Sequence, residues 1–353
     1  MAAMHWSSGV VATGLCLWAA YCLVSVEAAN WAEKFGDNIN LTLYLKDKNV
    51  TFNINDSVSI LSHPGFKKAL PTVLYMHGYT ESNQSRSVGL VANAFLKRGD
   101  HNFILVDWNY YVTFPYLKAF FNLFQVSHAL AKSITRMVEA GVRPESLWVV
   151  AHSLGGQLAG VTAKDLDFKI SRITALDPAL PGFTFDGIPN LGPKDAEFVD
   201  VIHTDGGFFG FNQLIGHIDF FPNNGTRVQP GCPSYVTGLY DGHCSHHRSW
   251  DFFAESLLNE TAFPAVACPG WTNFTAGECK STDVAYMGIR AKEARHRPGR
   301  YYLVTAEEAP FGKGMLGVAN LTTTSSSLLS SVTSLFGGGS NQKPLPTNWG
   351  WDQ

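Results

Sequence analysis

The sequence predicts an α/β fold, a mainly parallel central sheet with helices on both faces. Three observations carry this. Short apolar runs alternate with stretches of helical spacing from residue 73 to residue 221. Those runs are apolar throughout, as expected of strands covered on both sides. Hydrophobic residues make up 45% of the 353-residue chain and charged residues 16%. That balance excludes a mostly disordered chain and supplies a sizeable core, within one large or two ordinary domains.

Ahead of the fold lies an 18-residue apolar run, 9–26, followed by Glu27-Ala28-Ala29. Small residues after such a run mark a signal peptide, cut after Ala28 or Ala29 and covering 1–28. The segment before the run has no Lys or Arg, which leaves an uncleaved membrane anchor as the competing reading. Thr13, Gly14 and Ser25 dilute the run and favour the signal peptide, hence a secreted, extracellular protein. Four cysteines then remain: Cys232, Cys244, Cys268 and Cys279. Four permit three connectivities, and the short gaps make local pairing cheapest in loop closure, so Cys232–Cys244 and Cys268–Cys279 are expected. Glycosylation sequons at Asn40, Asn49, Asn55, Asn83, Asn224, Asn259, Asn273 and Asn320 fit export.

In chain order, 73–79 reads as a buried strand, 90–97 as helix and 103–108 as a second strand. Segment 121–141 has apolar residues at helical spacing and stops at Gly141. Then come a strand at 147–152, a crossover helix at 154–166, strands at 173–176, 198–203 and 217–221, and a helical run at 250–258. One catalytic-sized domain is expected over 29–315. Segment 316–353 is rich in Ser, Thr and Gly and is expected to be disordered, with a short docking helix through Leu328, Leu329, Val332, Leu335 and Phe336 as the alternative.

Lys and Arg number 26 against 29 Asp and Glu, a net charge of −3, so no nucleic-acid footprint is present. The local cluster Arg290, Lys292, Arg295, Arg297 and Arg300 is a candidate contact for heparan sulfate or anionic lipid, against the plainer reading of a solvated surface with Glu293 interspersed.

The chemistry concentrates in 147–160, LWVVAHSLGGQLAG. A β-branched strand runs into His152-Ser153-Leu154-Gly155-Gly156 and then a helix. This is a G-x-S-x-G nucleophile elbow with Ala151 in the first Gly position. The turn is so tight that the residues two before and two after the serine must be small, and Ala151 and Gly155 are. It sets the Ser153 hydroxyl at a helix N-terminus, where developing negative charge is favoured. A serine needs a base, and the base needs a carboxylate to orient it. Asp177 ends the run Ile173-Thr174-Ala175-Leu176 before Pro178 and is the expected acid, with Asp205 and Asp200 as rivals. His246, beside a predicted disulfide, is the expected base, with His247 as its rival. His203 and His217 read as core histidines and His77 as support for a turn. The oxyanion donors are expected to be the backbone amides of Leu154 and Tyr79.

Together the segments VLYMHGYT, VDWNYY, VVAHSLGGQLAG, ITALDPALPGF, FVDVIHTD, IGHIDFFPNNG, QPGC and CSHHRSWDFFAES resemble the pancreatic lipase family of secreted α/β-hydrolases. MGIRAKEARHRPGRYYLVT extends the likeness, so it spans nearly the whole expected catalytic domain. The resemblance implies an α/β-hydrolase fold and hydrolysis of lipid carboxylic esters, at a membrane or emulsion surface, as a phospholipase A1 or triacylglycerol lipase. It assigns Ser153 as nucleophile, Asp177 as acid, His246 as base, and the amides of Tyr79 and Leu154 as oxyanion donors. A non-catalytic lipid-binding or yolk-type protein on the same fold is the alternative, although such relatives lose the nucleophile.

Three departures from the family matter. The chain has no length for the C-terminal β-sandwich that binds a protein cofactor in the larger lipases, so no colipase is expected. The family's calcium loop corresponds to 187–195, where only Asp195 is acidic, so no metal or other cofactor is expected. The lid between Cys232 and Cys244 is reduced to PSYVTGLYDGH, resembling the short lids of phospholipases of the A1 type. Within it Tyr235, Val236, Leu239 and Tyr240 are available either to a lipid surface or to simple loop packing.

Overall fold

The structure, a computed structural model, describes residues 35–234, 242–279 and 284–319. The expected signal peptide, most of the short lid including Tyr235, Val236, Leu239 and Tyr240, the sequon at Asn320 and nearly all of the 316–353 segment lie outside the described residues.

The elements are β1 (Asn40–Tyr44), β2 (Val50–Asn53), β3 (Thr72–Met76), α1 (Arg86–Arg98), β4 (Asn102–Asp107), α2 (Tyr116–Glu139), β5 (Leu147–His152), α3 (Leu154–Lys164) and β6 (Arg172–Leu176). They continue with β7 (Val199–Ile202), β8 (Ile218–Pro222), α4 (Cys244–Leu258), β9 (Pro264–Ala267), α5 (Trp271–Thr275), β10 (Val284–Tyr286) and β11 (Gly299–Leu303). All eleven strands join one sheet in the order β10-β9-β11-β8-β7-β6-β5-β3-β4-β1-β2. From β4 to β11 the neighbours run parallel, and the antiparallel pairs sit at the two flanks.

Each central strand is buried along its whole length, and its alternate side chains feed two cores. Leu74, Met76, Ile104, Val149, Ala151 and Ile173 face Leu123, Leu130 and Leu158 of α2 and α3. Val73, Tyr75, Phe103, Leu105, Trp148 and Val150 face Val91, Phe95, Phe253 and Leu257 of α1 and α4. A sheet sandwiched in this way leaves its strand ends open for a polar site.

The expected elements are present with shifted bounds. The strand expected over 73–79 ends at Met76, because the chain turns away at His77-Gly78. The helix expected over 90–97 begins at Arg86 and stops at Gly99, whose φ is 71°. The helix expected over 121–141 begins at Tyr116: Leu117 and Phe121 point to solvent, so the buried stripe that periodicity detects starts later than the helix does. The helical run at 250–258 extends back to Cys244. Cys232–Cys244 and Cys268–Cys279 are bonded as expected, with Cα–Cα distances of 5.7 and 5.6 Å. Among the described residues no helix is long and apolar enough to cross a membrane.

Candidate active site

The parallel register fixes where the candidate residues leave the sheet. Met76 pairs with Ala151, and His152 pairs with Leu176. Gly78, Ser153 and Asp177 therefore lie just beyond the carboxyl ends of neighbouring strands. Two amides extend the ladder by one step: Ser153 N–H donates to Leu176 O at 3.0 Å and Asp177 N–H to Ile202 O at 2.8 Å. Ser153 and Asp177 both take positive φ, 53° and 46°, as does Thr80 at 61°. For side chains other than glycine this conformation costs on the order of 1–3 kcal/mol each and is held only by a rigid surround.

That surround is visible at Gly155. A Cβ there would sit 2.3 Å from Met76 O and 2.6 Å from His77 O. Only glycine lets the first turn of α3 press against the end of β3, which is the steric demand of the elbow. Ala151, on the other side of the turn, is fully buried.

Ser153, Asp177 and His246 are all buried. His246 Nδ1 lies 2.5 Å from Asp177 Oδ2. A carboxylate only accepts, so Nδ1 carries a proton and donates it to this bond. Asp177 Oδ1 accepts from the amides of Thr204 at 2.8 Å and Asp205 at 3.0 Å, so the carboxylate is pinned at both oxygens. Ser153 and His246 line the same cavity of about 540 Å³. Tyr79, Tyr116, Ala179, Pro181 and Phe209 give it an apolar wall, while Thr80, Arg86, His243 and His247 form a polar one.

The rivals are engaged elsewhere. Asp205 is paired with Arg227, and Asp200 with Arg172 and the Thr174 hydroxyl. His247 packs on Trp250, with ring centroids 5.2 Å apart. Burial, reinforced by the neighbouring His152 and His246, pushes its pKa down to about 3. His203 is bonded to Phe211 O and Asp219 in the core, His217 Nδ1 accepts from the Val199 amide, and His77 contacts Asp107 beside the β3 turn.

Gly78 and Thr80, which flank Tyr79, donate their amides to Glu81 at 2.5 Å and to Val112 O at 3.0 Å. The Tyr79 amide has no acceptor among the described residues. Leu154 opens α3 and is fully buried.

Sequence reasoning missed three participants. Glu81 accepts from the Gly78 amide, from Ser87 Oγ at 2.6 Å and from His152 Nδ1 at 2.9 Å. Burial alone would raise its carboxyl, but the adjoining His152 ring and the Ser87 hydroxyl hold it well below the usual range. His152 itself is 2% exposed, lies 4.7 Å from the His246 ring and keeps Nε2 without a hydrogen-bond partner among the described residues. Gln157 ties α3 to the segment after Asp177, donating to Ala179 O at 2.7 Å and accepting from the Leu191 amide at 2.9 Å. The signal that could have found Glu81 is weak: an acid in the turn that follows a His-Gly pair at a strand end.

Among the described residues one group, Asp177, Asp205 and His246, gathers three potential metal ligands. Arg227 on Asp205 and the Nδ1 proton on Asp177 already supply its positive partners. Asp195, the acidic residue of the 187–195 loop, accepts from Lys164 at 2.5 Å and from the Gly192 amide at 2.8 Å.

A parallel sheet with a strained serine on a strand–turn–helix, beside a carboxylate-bound imidazole, defines an α/β-hydrolase. The model of the Lipase family matches residues 17–311. Pancreatic triacylglycerol lipase of Homo sapiens is 30% identical over 336 residues, covering 87% of this chain and 72% of that protein. Phospholipase A1 member A of Bos taurus is 32% identical over 227 residues, 63% of this chain and 49% of that one. Among solved structures, a phospholipase/carboxylesterase from Dyadobacter fermentans is 15% identical with a TM-score of 0.30, covering 38% of this chain and 66% of that one. The chain belongs to the Lipase family.

Proposed function

We propose that the chain is a secreted serine hydrolase of lipid carboxylic esters, as a phospholipase A1 or a triacylglycerol lipase. The observation that carries this reading is the His246–Asp177 bond in the cavity that also holds Ser153. Its similarity to proteins named triacylglycerol lipase and phospholipase A1 supports the substrate class.

In this reading His246 Nε2 takes the Ser153 proton as Oγ attacks the ester carbonyl. The tetrahedral oxyanion is held by the Tyr79 and Leu154 amides, at the N-terminus of α3. The imidazolium then returns its proton to the leaving alcohol or lysophospholipid, leaving an acyl-Ser153 ester. Water, activated by the same imidazole, releases the fatty acid and restores the serine. Asp177 fixes the tautomer and stabilises the imidazolium.

The test is the purified protein against dioleoyl phosphatidylcholine vesicles and a triolein emulsion, scored for the bond cleaved. Cleavage that disappears with Ser153→Ala in a folded protein is expected. No cleavage of either lipid, together with no labelling of Ser153 by a fluorophosphonate, would overturn the reading in favour of a lipid-binding protein. Heparin chromatography tests the basic cluster, our candidate contact for heparan sulfate. Within it Arg290 is paired with Glu293 and Lys292 donates to Ser171.

A further inference from the structure

Large apolar side chains stand exposed together at one corner of the molecule. Phe114 is 85% exposed, Leu117 64%, Phe121 61% and Phe185 70%. The first three follow one ridge onto the opening turns of α2. Phe185 lies on the segment after Asp177, which is fastened to α2 at two points. Tyr116 Oη donates to Pro181 O at 2.8 Å, and the Phe120 and Phe183 rings lie 5.0 Å apart. Large apolar side chains exposed on two segments fastened together in this way call for a partner.

Three features identify the occupant. The patch is continuous with the cleft, because Tyr116 and Pro181 line the cavity that holds Ser153. It is graded in polarity: farther along the same exposed ridge come Gln125, His128 and Lys132. A helix that docks lengthwise on a protein keeps its apolar stripe, whereas one that dips at an angle into a lipid–water boundary is apolar only at the dipping end. Exposed Asp186 follows Phe185, but the α2 ridge itself carries no acidic residue, since the chain has none between Asp107 and Glu139, and exposed Lys118 lies in the first turn of α2 beside Leu117. That suits phosphate headgroups.

We propose that Phe114, Leu117 and Phe121, with Phe185, form the edge by which the chain inserts into a phospholipid bilayer and sets the mouth of the cleft against it. The proposal deepens the lipid-ester reading and rests on it for the hydrolysis of a docked lipid, not for docking itself.

The experiment measures binding without turnover. Ser153→Ala protein is sedimented with dioleoyl phosphatidylcholine vesicles containing a minority of phosphatidylserine, with and without the added changes Phe114→Ser, Leu117→Ser and Phe121→Ser. The partition constant should fall at least about tenfold, since three apolar side chains lose their interfacial burial. With Ser153 intact, the triple variant should hydrolyse a water-soluble short-chain ester at the wild-type rate. Phe185→Ser alone should weaken partition about threefold, and carries the test if the triple variant does not fold. Unchanged partition overturns the proposal. So does a wild-type dimer that the triple variant converts to monomer, which would assign the edge to a second copy of the chain. If the wild-type protein binds vesicles through this edge yet cleaves no ester, soluble or lipid, docking stands and the hydrolase reading falls.

Discussion

His246 Nδ1 meets Asp177 Oδ2 at 2.5 Å across 69 positions of sequence, with the other carboxylate oxygen held by two backbone amides. Because the carboxylate cannot rotate away, the imidazole is held to one tautomer. Asp177→Asn keeps the shape but can offer its NH2 to Nδ1, placing the histidine proton on Nε2. We expect kcat on a soluble ester to fall by on the order of 10³–10⁴. The fold, followed by circular dichroism, should be retained. A loss of less than tenfold would remove Asp177 from its proposed role.

Gly155→Ala forces a methyl group into the Met76 and His77 carbonyls. The backbone there has no soft side chain to give way, so α3 or β3 must shift. Overpacking of this kind costs about 1–3 kcal/mol, and here it also displaces Ser153. Thermal unfolding should occur at a lower temperature, and kcat/KM should drop more than KM alone explains.

Glu81 links the loop that carries the Tyr79 amide to His152, next to Ser153. Its folded-state pKa is depressed, so the folded state binds fewer protons than the unfolded chain as pH falls through the unfolded value near ~4.3. The stabilisation it contributes is therefore fully present well above that pH and is lost in more acidic solution. Glu81→Gln should lower the melting temperature by a constant amount between pH 6 and 8, and the gap to wild type should close as the pH falls below about 4. A gap that is the same at every pH would mean that the carboxylate charge is not what holds the loop.

His247 acts in the same direction over a higher pH window. Its folded pKa, near 3, lies below the unfolded value of about 6.5, so acid favours the unfolded chain between those limits. His247→Asn should flatten the decline in melting temperature between pH 6.5 and 4 and leave stability above pH 7.5 nearly unchanged. A decline as steep as the wild type's would refute the assignment.

Removing the Cys232–Cys244 bridge tests the support of the base. α4 starts at Cys244, two residues before His246. Replacing both cysteines by Ser should cost about 2–4 kcal/mol of stability. It should also lower kcat on a soluble ester in protein still folded at the assay temperature. Unchanged kcat would show that packing alone holds His246.

The central strands and the elbow were legible because each carries a local signal: continuous apolar runs from β3 to β8, and small residues around Ser153. The flanks were not. β2 is only partly buried, and β9 and β10 are three or four residues long, paired antiparallel without a crossover helix to announce them. The start of α2 was missed for a related reason, since Leu117 and Phe121 are apolar yet outward-facing and blur the period. Of the candidate site, the Ser153, Asp177 and His246 positions followed from motif and order. The Glu81–His152 pair did not, because nothing local ties an acid to a histidine 71 positions away. Only the shared rung of β3 and β5 brings them together.

The adjoining rung, His152 with Leu176 on β5 and β6, has a wider consequence. Ser153 and Asp177 each stand one step past a matched pair on adjoining strands. Their spacing is thus set by the roughly 4.8 Å pitch of the sheet and not by the length of any connection. Insertions or deletions in the loop 165–169, between α3 and β6 at the far end of the sheet, should be silent toward turnover. The hydrogen-bonded lattice serves as a ruler for these two side chains, and loop engineering can remodel the outside of the molecule without recalibrating it.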